Sequence, residues 1–106
     1  MRSLLVIPLL LLLSVPVSAW NWETHRALVE AFYYSVDDET QQRLNLTALQ
    51  EGSIAPDKVF RDFRRHSYPY SLERMLYWLD KMRNARDATE RGYAFGVATH
   101  YLADSF

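Results

Sequence analysis

The chain has 106 residues, with twelve lysines and arginines against thirteen acidic residues and no cysteine. That balance excludes nucleic-acid binding by bulk positive charge, and without cysteine no disulfide can staple the fold. Glycine and proline are sparse and there is no repeat or low-complexity tract, which leaves one domain or part of one.

Residues 1–19 read as a secretory signal peptide. Arg2 is the positive end, Leu4 to Leu13 the apolar stretch, and Val17-Ser18-Ala19 the small-residue cleavage site. The apolar stretch is too short to span a bilayer. Cleavage makes Trp20 the first residue of an 87-residue mature chain. Losing Arg2 leaves eleven basic and thirteen acidic residues, a net charge of −2. The expected location is secreted or periplasmic. An exported domain of this size without disulfides needs another staple, and bound metal is one.

Trp20 to Val36 reads as the first helix, capped by Asn21 or Thr24. Ala27, Leu28, Ala31 and Phe32 form its apolar stripe, and His25 sits in its first turn. Asp37-Asp38-Glu39-Thr40 breaks the chain and starts a short helix over Glu39 to Leu44. Another runs from Leu46 to Gln50, and Gly52 ends it. Asn45-Leu46-Thr47 is a glycosylation sequon, meaningful only in a host that glycosylates.

Ser53-Ile54-Ala55-Pro56-Asp57 is expected to be a non-helical loop, because proline disfavours a helical residue before it. Asp57 then projects from a constrained corner. Lys58 to Arg65 is charged, with Val59, Phe60 and Phe63 as its apolar side, and His66-Ser67-Tyr68-Pro69-Tyr70 is a second loop. Ser71 is expected to cap an amphipathic helix whose core face is Leu72, Met75, Leu76, Leu79 and Met82. The methionines read as core, not as a cofactor box. Trp22, Tyr68 and Tyr70 read as packing residues. After a link over Asn84 to Asp87, Asp87-Ala88-Thr89-Glu90 has the form of a capping box and opens the last helix. Tyr93, Val97, Tyr101 and Leu102 recur in it at helical spacing. Helical periodicity throughout, with no alternating runs, predicts an all-α fold of four to six short helices without a sheet.

In the last helix His100 and Asp104 stand one turn apart on one face, with Gly96 and Gly92 below them. A glycine costs about 1 kcal/mol relative to alanine inside a helix, so something is expected to come close there. An imidazole and a carboxylate on one face can hold a metal ion, or can simply hydrogen-bond to each other. The inventory favours metal. The three histidines, His25, His66 and His100, lie on separate elements together with Asp57 and Asp104. Helical bundles build metal sites from ligands dispersed in this way, and zinc suits mixed nitrogen and oxygen donors.

Four pieces in order carry a resemblance. They are Trp20 directly after a signal peptide, His25 in the first helix, Gly52-Ser53-Ile54-Ala55-Pro56-Asp57 followed by His66, and Gly96-Val97-Ala98-Thr99-His100-Tyr101-Leu102-Ala103-Asp104-Ser105-Phe106. Together they resemble the zinc-dependent phospholipase C family (phospholipase C/D domains), which shares its fold with the S1/P1 nucleases. The resemblance spans nearly all of the mature chain and implies a multi-helix bundle of that type, incomplete at its C-terminus.

It also implies up to three zinc ions. One would be held by Asp57, His66, His100 and Asp104. A second would be held by the α-amino nitrogen and carbonyl oxygen of Trp20, by His25, and by Asp104 as a bridge. Ligands of the third would follow Phe106. The chain is therefore expected to be the N-terminal part of a longer enzyme and inactive alone. The implied reaction is hydrolysis of a phospholipid head-group phosphodiester by metal-activated water, which Asp57 orients. The implied partners are a phospholipid or other phosphodiester substrate and a membrane surface, with no protein partner evident. An S1/P1-like single-strand nuclease and a non-catalytic zinc-stabilised binding domain are the alternatives.

Overall fold

Each helix start is encoded in its cap. Asn21, Asp37, Asn45 and Asp87 each accept a backbone N–H from three residues on, at Thr24, Thr40, Ala48 and Glu90. These side chains satisfy donors that a helix N-terminus would otherwise leave open. The computed structural model describes residues 21–62 and 69–104. It contains α1 (Trp22–Ser35), α2 (Asp38–Gln42), α3 (Leu46–Lys58), α4 (Tyr70–Arg83) and α5 (Ala88–Asp104). Among the described residues there is no strand, as the sequence predicts, and no helix long and apolar enough to cross a membrane. The signal peptide, Trp20, Phe63 and the loop with His66 and Tyr68 lie outside the described residues.

α5 is the axis, with α3 and α4 packed along it and α1 set against α3. Against α3, the backbones touch. A Cβ on Gly96 would fall on the Leu49 carbonyl oxygen and 2.8 Å from the Ser53 nitrogen, and one on Gly52 would strike the Tyr93 carbonyl. The glycines that the sequence sets under His100 therefore admit a neighbouring helix. Ala48, Leu49, Ile54, Ala55, Ala94, Val97 and Ala98 close this seam as buried core. α1 is held through buried His25 and Val29 and through Phe32, whose ring meets Phe95 edge-on at 5.0 Å. Its apolar stripe is displaced from the expected one, since Ala27 is exposed. Trp22 is also exposed and lies under the Lys58 ammonium rather than in the core.

The expected loop at Ser53–Asp57 is helix. α3 runs on to Lys58 with Pro56 inside it, and Gly52 to Pro56 are all buried. The preference of a residue before proline for extended backbone is worth less than seating this turn against α5. α4 departs from expectation in another way. Pro69, not Ser71, is its N-cap, no side chain caps it, and Ser71 is buried in the first turn. Leu72 and Leu76 are exposed, while Met75 and Trp78 turn towards the core of Ala55, Val97 and Tyr101. At the start of α5 only half of a capping box forms. Glu90 reaches back to the Arg86 amide and guanidinium, at 3.0 and 2.7 Å, rather than to Asp87.

Candidate metal centre

Four of the predicted ligands come from three helices and meet at one end of the α3–α5 seam. His25 is brought by the first turn of α1, Asp57 by the last turn of α3, and His100 and Asp104 by the last turns of α5. Because α3 is helical through Pro56, Asp57 leaves from a helix end and not from a loop corner.

Asp104 spans two imidazoles. Its Oδ1 lies 3.3 Å from His25 Nε2, and its Oδ2 lies 3.1 Å from His100 Nε2. Asp57 Oδ1 faces the same His100 nitrogen at 3.6 Å. The two imidazole rings stack with centroids 4.1 Å apart. Both histidines are buried, Asp104 is 14% exposed at its side chain, and Asp57 is 31% exposed.

The orientation of His100 is set from α3. Its Nδ1 lies 2.7 Å from the Ser53 carbonyl oxygen. A carbonyl can only accept, so Nδ1 carries the proton and donates. The bond lies at the turn where Pro56 has no N–H to return to the Gly52 carbonyl. In the neutral ring Nε2 is then a lone pair aimed at two carboxylates, three acceptors converging on one point. A cation among them removes that conflict.

The spacing suits zinc. Ligand atoms about 2.0–2.2 Å from a tetrahedral zinc stand about 3.4 Å from each other. The donor atoms of His25, His100 and Asp104 all lie within 4.8 Å of one another, and the contacts around His100 Nε2 run from 3.1 to 3.6 Å. A backbone carbonyl on the far nitrogen is also the usual outer partner of a zinc-bound histidine. The donor set therefore fits zinc, with His25, Asp57, His100 and Asp104 as the residues that would hold it. Trp20 and His66, the other two predicted ligands, lie outside the described residues.

Sequence reading missed Ser53, whose carbonyl fixes His100, because a backbone acceptor leaves no residue signature. It also missed Asp62. Its carboxylate accepts the hydroxyls of Tyr70 and Tyr101 at 2.6 and 2.8 Å, and only the fold brings these residues together.

An all-helical bundle with a histidine–carboxylate cluster at one end defines a class: a helical metal-binding domain whose site is assembled from dispersed ligands. Within that class, residues 23–106 match the family described as zinc-dependent phospholipase C, and the chain belongs to that family. Its activity type is that of a zinc-dependent, phospholipase C-type hydrolase. No curated protein and no solved structure matches the chain.

Proposed function

We propose that the protein hydrolyses the head-group phosphodiester of a phospholipid, releasing diacylglycerol and a phosphorylated head group. The observation that supports this is the Asp104 carboxylate shared between His25 and His100, with Asp57 facing the same nitrogen. Zinc bound there supplies Lewis-acid polarisation of a phosphoryl oxygen and a water whose pKa falls to about 7.

The remaining work falls to the protein. His100, locked by Ser53, keeps its Nε2 lone pair directed into the site. Asp104 holds the two imidazoles at a fixed separation. Asp57 is the most exposed carboxylate of the cluster, so it is the one a substrate and an incoming water can reach. Its role is to orient that water and accept its proton. Trp20 and His66 complete the ligand set. The α-amine of Trp20 exists only once the signal peptide is gone, so export and activation are one event, outside the cytoplasm.

The test uses the complete protein with its signal peptide removed, stripped of metal by a chelator and then titrated with zinc. Phosphorylated head group should appear from phosphatidylcholine vesicles only when zinc is restored. Cleavage of single-stranded DNA with no attack on vesicles would replace the reading with a nuclease. Zinc uptake with neither reaction would make the protein a binding module. A variant that retains methionine before Trp20 should bind less zinc with unchanged helical content. Equal zinc and equal turnover would place the mature terminus elsewhere.

A further inference from the structure

Beyond Asp57 the chain does not run free. Arg61 adopts a left-handed backbone, φ 52°, which costs a side-chain-bearing residue about 1–2 kcal/mol. Such a conformation persists where the surroundings impose it. Here the chain is folded back on α3: Phe60 N–H donates to the Ala55 carbonyl at 2.8 Å, and Asp62 N–H to the Pro56 carbonyl at 2.7 Å. The result is that the Asp62 carboxylate lies against the other two helices of the core. Its Oδ2 accepts Tyr70 Oη–H from the first residue of α4, and Tyr101 Oη–H from α5.

Tyr101 follows His100 directly, and its ring is 1% exposed within the core cluster of Ala55 and Val97. Burial first, and the bond to Asp62 second, push its phenol above the ordinary tyrosine range. It therefore stays a donor at any pH at which the protein works. Asp57, by contrast, is at the last turn of its helix, where backbone hydrogen bonds run out and ends fray. Nothing in α3 alone would hold its carboxylate to a few tenths of an ångström from the position His100 requires.

We propose that Asp62 is a positioning residue for the metal centre: by accepting from Tyr70 and Tyr101 and donating its own N–H to Pro56, it fixes the end of α3, and so the Asp57 carboxylate, against the α5 turn that carries His100 and Asp104. The same carboxylate joins Asp62 to Tyr70, and so closes the neck of the connection over residues 63–68. This inference rests on the reading of His25, Asp57, His100 and Asp104 as zinc ligands.

The test is zinc affinity by chelator competition in the complete protein, with the visible spectrum of the cobalt-substituted form as a reporter of ligand geometry. Asp62→Ala should weaken zinc about 10- to 100-fold, the usual cost of losing an outer partner of a metal ligand, and should alter the cobalt spectrum. Asp62→Asn keeps an acceptor oxygen for both hydroxyls, and should bind zinc within about threefold of the parent, since the lost charge lies outside the ligand shell. Leu44→Ala is the control for stability alone, because Leu44 is buried beside Asn45, whose N–H bonds to Ala88 at the opposite end of α5. It should lower the melting temperature and leave zinc affinity and the cobalt spectrum unchanged. If Asp62→Ala behaves as Leu44→Ala does, or if Asp62→Asn is as defective as Asp62→Ala, the positioning role is wrong. If the parent protein binds no zinc, the metal-centre reading itself fails, and this inference with it.

Discussion

α5 carries two seams that differ in kind. Against α3, glycine and alanine let the backbones meet, the packed residues are fully buried, and His100 donates across the seam to Ser53. Against α4, the contacts are large side chains. Trp78 meets Tyr93 edge-on at 6.2 Å and stacks on Phe60 at 5.5 Å, and Met75 is half-buried. Two polar atoms on α4, Ser71 Oγ and Trp78 Nε1, are buried without a hydrogen-bond partner. The close seam is the one that ends in the metal cluster. Ligands on different helices must agree to within a few tenths of an ångström, and direct backbone contact leaves less play than long, rotatable side chains.

The largest effects are expected at the cluster itself. Asp104→Asn and His100→Ala should each weaken zinc more than about 100-fold, beyond what outer partners cost, with activity lost in step. Adding zinc should raise the melting temperature of the parent and not of these variants, as linkage requires for a ligand that binds only the folded state. Normal zinc stoichiometry in either variant, by elemental analysis, would break the link between the close seam and metal.

Next in size is Gly96→Ala. The new methyl group meets the α3 backbone, which cannot rotate away, so a loss of about 3 kcal/mol in denaturant unfolding is expected, together with weaker zinc. A loss below about 1 kcal/mol, within the range of ordinary core swaps, would mean that the seam has slack.

On α4, Ser71→Ala decides between two readings by its sign. A helix cap loses about 1 kcal/mol when replaced by alanine. A buried hydroxyl without a partner gains when removed, here by about 0.5–1 kcal/mol. Stabilisation in urea unfolding is the expected result. The smallest effect should be Leu76→Ala. Leu76 is 54% exposed, so its loss should stay within about 0.5 kcal/mol. A cost near that of a core leucine would show that this face of α4 is covered in solution.

The ligand residues were legible because their chemistry is rare in this chain. With three histidines and no cysteine, a histidine one turn before an aspartate on a helical face stands out. The caps Asn21 and Asp87 were legible too, because capping is local, within three residues. α4 was not. Its stripe of Leu72, Met75, Leu76, Leu79 and Met82 has helical spacing, but periodicity says only that a face is apolar and not which part of it another helix covers.

The sequence by itself therefore determined the all-helical class, three helix starts at Asn21, Asp37 and Asp87, and the identity of residues able to bind zinc. Each of these depends on side-chain chemistry and near neighbours along the chain. Only the tertiary structure decided that α3 continues through Pro56, that the glycines of α5 admit α3, and that Ser53 and Asp62 hold the ligands in place. Those outcomes depend on burial and hydrogen bonds between residues up to 47 positions apart, where the energy of seating one helix on another exceeds local preference.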